Sequence, residues 1–178
     1  LPTKKVFNRT DMPKYIMNFC VGWAWDKLYN TNFIKKHNLK FPSLHNTEDA
    51  AFVYPSLVLA ERISILDKTL IIHRKSSNSL EMRRDENCTC FIDAARLIKN
   101  KLENENKYNE IEQSFINGFV EHSLWQYDTL KPQNKRKIRK YLQNIIFNEF
   151  LIKNKSINYF YNKNLYFRIK NKNFKKPI

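Results

Sequence analysis

Two adjacent acidic residues, Glu48 and Asp49, stand directly before a long apolar run in a chain that is otherwise strongly basic. The chain has 32 Lys and Arg residues against 17 Asp and Glu residues. A carboxylate can act as a general base that takes a proton from a reacting hydroxyl group. Carboxylates also stabilise the positive N-terminal end of a helix, here with Asn46 or Thr47 as the N-cap. The pair is therefore typical of a helix start and also of a catalytic site, and only its surroundings can separate the two interpretations.

Glycine and cysteine limit the kinds of site that the chain can build. Only Gly22 and Gly118 are present, which excludes a Walker loop and a glycine-rich dinucleotide fingerprint. The three cysteines, Cys20, Cys88 and Cys90, lack the paired spacing of a structural zinc site. We expect reduced thiols and a cytoplasmic protein, because we find neither a signal peptide nor an apolar run long enough to span a bilayer.

The elements that position the acidic pair follow a mixed pattern up to about residue 80. We predict a short helix over 31–38 capped by Thr31 and a short extended piece at 39–42. The apolar run from 47 to 60 predicts a buried helix that Pro55 kinks or splits. After it, Ile63, Ile65, Leu70 and Ile72 predict two short strands around a turn at 67–68.

Beyond residue 80 the hydrophobic spacing is helical. Three amphipathic helices are predicted over 91–102, 108–127 and 133–152. Their inward-facing positions are Ile92, Ala95, Ile98, Leu102, Ile111, Phe115, Phe119, Leu124, Ile138, Tyr141, Leu142, Ile145 and Ile146. The whole chain is therefore expected to be α+β and mostly helical.

Cations crowd the first turns of the third of these helices, where they oppose the helix dipole and so are not placed for helix stability. They are Lys135, Arg136, Lys137, Arg139 and Lys140. The net charge of +15 favours polyanionic partners, namely nucleic acid, anionic lipid or a phosphorylated substrate. Because Tyr and Phe are interleaved with the cations of the last segment, a nucleic-acid-binding module is one alternative to an enzyme. A protein-interaction module without catalysis is another.

An ordered set of residues between 25 and 79 resembles the second half of the family 2 glycosyltransferases of the GT-A fold. A Trp with Lys-Leu-Tyr comes first, then a short helix, a Leu-x-Phe piece, the Glu-Asp pair, an Ala-x-Arg-Ile turn and a final Arg and Ser. The matching residues are Trp25, Asp26, Lys27, Leu28, Tyr29, Phe33, Ile34, Leu39, Phe41, Glu48, Asp49, Phe52, Ala60, Arg62, Ile63, Arg74 and Ser79. The segment after Ser79 fits only loosely the helical tails of bacterial members that build surface polysaccharide.

The resemblance implies an inverting transfer of a sugar from a nucleotide sugar to a glycan or lipid-linked acceptor. Asp49 would be the general base, and Glu48 would orient the acceptor or a Lys side chain.

On the acceptor side of the same site, the resemblance places Trp25, Asp26 and Lys27. A core position for Trp25 and a surface ion pair between Asp26 and Lys27 would explain the same residues, and for Trp23 we expect the core.

On the donor side, Arg74 and Ser79 would meet the donor diphosphate. Many members of the family carry a metal-binding His two residues after the Arg, a position that is Ser76 here. His73 is displaced from it, and we do not expect it to be a ligand. The Asp-x-Asp motif of the family's first half is also missing, so Mg²⁺ or Mn²⁺ is expected for the complete enzyme rather than for this chain.

These implications divide the chain into two parts. Residues 1–80 would be the acceptor-side, carboxyl-terminal half of a GT-A core, and residues 81–178 a basic helical tail. We expect the chain to be a fragment that lacks the nucleotide-binding half. The tail would contact anionic lipid on the inner face of the membrane, and the unpaired edge of the half-sheet would favour pairing with a second copy.

Overall fold

Helices dominate the computed structural model, which describes residues 2–74, 85–171 and 174. Two short strands and six α-helices follow one another in this part of the chain, joined by irregular segments and short helical turns. Their bounds are Val6–Phe7 (β1), Thr31–Lys36 (α1), Glu48–Leu59 (α2), Ile63–Ser64 (β2), Cys90–Asn104 (α3), Tyr108–Thr129 (α4), Pro132–Asn144 (α5) and Lys163–Lys170 (α6). The expectation of a mostly helical α+β chain is confirmed.

The two strands form an antiparallel pair across a long sequence separation. Val6 lies opposite Ser64, and Phe7 lies opposite Ile63. The predicted hairpin around 67–68 is therefore wrong, because β2 pairs with the start of the chain and no strand follows it in 65–74. Burial explains the choice of partner, since Phe7 is only 2% exposed. The apolar side chains of the predicted second strand are at least half exposed, and they are Leu70, Ile71 and Ile72.

The short helix α1 is capped differently from the prediction. Asn30, and not Thr31, is the N-cap, and its side-chain oxygen accepts a hydrogen bond from the Phe33 amide at 3.1 Å. At the other end Asn38 adopts φ = 47°, and the Leu39 amide donates back to the Ile34 carbonyl at 3.1 Å. This is a Schellman ending, so residues 39–42 serve as its exit and form no strand.

Helix α2 confirms the prediction from the apolar run. It continues through Pro55 without splitting, although the ring removes one hydrogen bond to the preceding turn. Ser56 donates its hydroxyl to the Val53 carbonyl at 2.7 Å at this point of the helix. The second half of α2 is buried on nearly all sides and packs against α3. The buried positions of α2 are Phe52, Val53, Pro55, Ser56, Leu57, Val58 and Leu59.

Helices α3 and α4 confirm their predicted spans and inward faces, whereas α5 is shorter than predicted. It ends at Asn144 and passes into a π-helical turn, Ile145–Glu149, and Leu151 then takes φ = 51°. Of the residues predicted to face inward, Tyr141 is the exception, because it is 45% exposed. Ile138 and Leu142 already fill the buried stripe of α5, so Tyr141 lies to one side of it.

The carboxyl-terminal segment is attached by a buried guanidinium group. Arg168 of α6 is 7% exposed and donates to both carboxylate oxygens of Asp128 at 2.7 and 3.1 Å. It also donates to the Phe174 carbonyl at 3.0 Å.

One hydrophobic core extends from Phe7 near the start of the chain to Phe174 near its end. Residues of both predicted parts contribute to it, and the division at residue 80 stays a prediction. Among the helices of the described ranges, we find none with the length and apolar character needed to cross a membrane.

Candidate functional site

The start of α2 holds the two acidic residues in place. Thr47 is the N-cap and takes the left-handed conformation, with φ = 61°. Its hydroxyl donates to the Asn46 carbonyl at 2.6 Å instead of capping the helix. Glu48 and Asp49 occupy the first turn, where carboxylates complement the positive end of the helix, and both are half-buried.

Asp49 connects the helix start to the tryptophan loop, which we define as residues 21–27. Its Oδ2 atom accepts a hydrogen bond from the Ala24 amide at 3.3 Å. Within the described part of the chain, the Oδ1 atom has no hydrogen-bond partner, and Glu48 has none either. Asp49 is therefore held through one of its two carboxylate oxygens.

Lys27 fixes the shape of the tryptophan loop from within. Its ammonium group donates to the carbonyls of Val21 and Trp23, both at 2.8 Å, and to Asp26 Oδ1 at 2.6 Å. The Lys27 side chain is only 15% exposed as a result. The ion pair that explained Asp26 and Lys27 without a function is thus present, and their role toward an acceptor stays a prediction.

Three rings stack at the surface of this loop. The rings of Trp23 and Trp25 are stacked with centroids 5.0 Å apart, and His73 stacks on Trp25 at 5.3 Å. The core position expected for Trp23 is wrong, because Trp23 is 40% exposed and Trp25 41% exposed. Gly22 permits this arrangement by letting the loop lie against Tyr54, whose ring carbon Cε2 is 3.0 Å from where a Cβ atom of residue 22 would lie.

Several other residues of the ordered set pack beneath the loop. Phe52 of α2 stacks on Phe41 at 4.2 Å and meets the edge of Tyr29 at 5.1 Å. The Tyr29 hydroxyl is buried and has no hydrogen bond of good geometry to the described residues. Burial raises the pKa of Tyr29 to about 12, and the negative charges of Asp26 and Asp49 add to this effect. Tyr29 is therefore neutral at physiological pH, and its ring packs on Phe52.

The residues predicted to face the donor are only partly described. Arg74 is exposed and follows His73, so the chain that carries it passes beside the aromatic stack. Ser79 and Ser76 lie outside the described residues. No group of three His, Cys, Asp or Glu side chains that would hold a metal is found in 2–74, 85–171 or 174, and the ring of His73 packs on indoles.

The structure brings Asp49, Trp25, Asp26, Lys27 and His73 around one loop, although they are up to 48 positions apart in the chain. Sequence reasoning missed the stacking of His73 and the burial of the Lys27 ammonium. Nothing local signals either, since both depend on where residues 21–27 and 71–74 meet.

Comparison of the chain with protein-family models, with curated proteins and with solved structures finds no match.

Proposed function

We propose that this chain is the acceptor-side part of an inverting glycosyltransferase of the GT-A fold, with Asp49 as the general base. The observation that carries the proposal is the placement of Asp49. Its carboxylate stands at a helix start, anchored through one oxygen to the Ala24 amide and next to an exposed aromatic stack. A sugar binds well to such a stack, and a base must lie within reach of the hydroxyl that the stack positions.

The chemistry assigned to this site is a single displacement. Asp49 Oδ1 takes the proton of an acceptor hydroxyl while that oxygen attacks the anomeric carbon of the nucleotide sugar. The bond from the anomeric carbon to the nucleoside diphosphate breaks, and the diphosphate leaves with its electron pair. Attack from the opposite face inverts the configuration at carbon.

The surrounding residues have supporting roles in this proposal. Trp25 stacks on the acceptor sugar, and Asp26 accepts hydrogen bonds from its hydroxyls. Lys27 positions both residues by holding the loop closed, because its ammonium group bonds two loop carbonyls. Arg74 and Ser79 would meet the leaving diphosphate. Mg²⁺ or Mn²⁺ is expected for the complete enzyme, and the roles assigned to this chain are those of its own side chains.

The test is nucleotide-sugar turnover by the chain together with any residues that precede Leu1 in its natural reading frame. Asp49→Asn keeps an acceptor for the Ala24 amide but removes the base, so we expect transfer to fall by about 10²–10⁴-fold. Glu48→Gln is the matched control on the same helix turn, and we expect a loss of no more than about tenfold, since Glu48 only orients. Activity of Asp49→Asn close to that of the unmodified protein would refute the assignment.

A further inference from the structure

Helix α5 exposes a strongly basic face that the proposed site does not use. Its thirteen residues include five cations and no acid. Only Ile138 and Leu142 are buried, so most of the helix surface faces solvent.

An open surface depression with a volume of about 690 Å³ lies between the side chains of this face, and we call it the α5 groove. The described residues that line it are all exposed and recur three or four positions apart, so they form one stripe about 16 Å long on the helix. They are Gln133, Arg136, Lys137, Lys140, Tyr141 and Asn144.

The three groove cations are available to a ligand. Arg136, Lys137 and Lys140 form no ion pair with any carboxylate of the described residues. Lys135 differs, because its ammonium group donates to the Asp128 carbonyl at 2.9 Å and lies over the Tyr127 ring. Arg136 and Lys140 are four positions apart, so their positive charges repel each other and destabilise the helix when no ligand is bound. An anionic ligand would neutralise these charges and remove the repulsion.

One turn contacts both the start of α5 and a residue just before the start of α2. Asp85 Oδ1 accepts hydrogen bonds from the Lys131 amide at 2.9 Å and from the Asn134 side chain at 2.8 Å, both at the start of α5. Two residues further on, the Asn87 carbonyl accepts from the side chain of Asn46, which precedes α2, at 3.5 Å. The amino-terminal ends of α5 and α2 therefore meet the same turn.

We propose that the α5 groove binds an acidic glycan, an oligosaccharide with carboxylate or phosphate groups, as a remote part of the acceptor. This inference rests on the proposed function. Arg136, Lys137 and Lys140 would pair with the anionic groups, while the amides of Gln133 and Asn144 suit sugar hydroxyls.

The lining of the groove favours a glycan over two other polyanions. Single-stranded nucleic acid binds on successive aromatic side chains, whereas Tyr141 is the only aromatic residue among the described lining residues. A helix that lies on a membrane inserts Trp, Phe or Leu side chains, and the α5 face presents none of these. Amides beside cations match a ligand that alternates hydroxyl and anionic groups.

The experiment measures binding to the chain as it stands by titration calorimetry. The probes are oligogalacturonate, a neutral maltooligosaccharide of equal length, a single-stranded oligonucleotide, and phosphatidylserine vesicles. The variant is Arg136→Gln, Lys137→Gln and Lys140→Gln combined. The control is Lys35→Gln, Lys36→Gln and Lys40→Gln, which removes the same charge from exposed positions around α1.

We expect oligogalacturonate to bind and the maltooligosaccharide not to bind. The groove variant should weaken oligogalacturonate binding by about tenfold or more, and the control variant by less than about twofold. Equal weakening in both variants would overturn the proposal, because it would show a general charge effect. Absence of oligogalacturonate binding would also overturn the proposal. The same holds if the oligonucleotide or the vesicles bind more tightly than oligogalacturonate and the groove variant abolishes that binding.

Two further measurements keep the result interpretable. Thermal melts check that the groove variant folds, which is expected because the substitutions relieve repulsion within α5. Asp49→Asn should bind oligogalacturonate as tightly as the unmodified chain. Turnover of Asp49→Asn close to that of the unmodified protein would refute the proposed function whatever the binding result. Oligogalacturonate binding that the groove variant does not weaken would refute this inference whatever the turnover result.

Discussion

At the scale of single residues, the candidate site depends on a few unusual backbone and side-chain contacts. Thr47 takes a left-handed conformation directly before Glu48, and Lys27 places its charge among loop carbonyls. Asp49 then connects the helix to the loop through the Ala24 amide. Each contact joins residues that are close in space. The residue types involved are common on protein surfaces, so the types alone do not predict these contacts.

Gly22 gives the residue-scale prediction. A methyl group at residue 22 would lie 3.0 Å from Tyr54 Cε2, and this ring cannot move away freely because it is packed against the core. We expect Gly22→Ala to lower the free energy of unfolding by about 1–3 kcal/mol, as overpacking does, and to disturb the Trp23–Trp25 stack. Chemical denaturation and near-ultraviolet circular dichroism measure the two effects.

Gly118→Ala is the matched control, because its methyl group would also meet an atom at 3.0 Å, in the side-chain amide of Asn18, whose oxygen accepts a hydrogen bond from the Ser114 hydroxyl. Alanine gains about 1 kcal/mol of helix propensity inside α4, which offsets the contact. A Gly22→Ala variant no less stable than the Gly118→Ala variant would contradict this account.

At the scale of elements, attachment of α6 gives the clearest prediction. The Arg168 guanidinium is buried, and it joins α6 to Asp128 of α4 and to the Phe174 carbonyl. Because Arg168→Met would leave Asp128 and a carbonyl without these bonds, we expect a loss of about 2–4 kcal/mol in unfolding free energy. The exposed Lys163→Met on the same helix should change it by less than about 0.5 kcal/mol, measured by urea denaturation. Similar losses for both would show that the guanidinium is not what attaches α6.

An element could be predicted from the sequence where its own residues determine its structure. It could not be predicted where its structure depends on distant parts of the chain. The spacing of Ile92, Ala95, Ile98 and Leu102 fixes the inward face of α3 without reference to other parts of the chain, and the same holds for α4. The partner of Ile63 is not local, because a strand of two residues pairs with whichever edge the core brings near. The end of α5 also depends on tertiary packing, since Leu151 turns the chain with a positive φ that its residue type does not indicate.

The candidate site also has a part that local sequence could predict and a part that depends on distant residues. Asp49 at a helix start could be predicted from the acidic pair and the apolar run that follows it. The pairing of His73 with Trp25 could not, because it joins residues 48 positions apart through an irregular segment.

At the scale of the whole molecule, we expect charge to determine how stability depends on pH. The chain carries a net charge of +15, so its carboxylates lie among many cations. The Lys101 ammonium hydrogen-bonded to Glu105 lowers the pKa of that carboxyl. Burial alone would raise the pKa of Glu112, but hydrogen bonds from Lys155 and Tyr159 outweigh burial and lower it.

The lowered pKa values of these two carboxyl groups predict that the folded chain loses stability on acidification. Because the pKa values of Glu105 and Glu112 are lower in the folded chain than the unfolded value of about 4.3, their stabilisation is complete above that pH. It is lost as the pH falls below about 4.3 and through the folded pKa values, so we expect the melting temperature to drop on acidification in that range. Protonation also raises the net positive charge, which adds repulsion in the same direction.

Glu112→Gln separates the effect of the Glu112 contacts on acid stability from the effect of the overall positive charge. This variant removes the carboxylate that Lys155 and Tyr159 bind, so it should melt at a lower temperature than the unmodified chain at pH 7 and lose less on acidification. Glu61→Gln, at an exposed position, changes the net charge equally and should keep the acid dependence of the unmodified chain. If both variants melted in parallel with the unmodified chain from pH 7 to pH 3, overall charge alone would govern the acid transition, and the Glu112 contacts would contribute nothing to it.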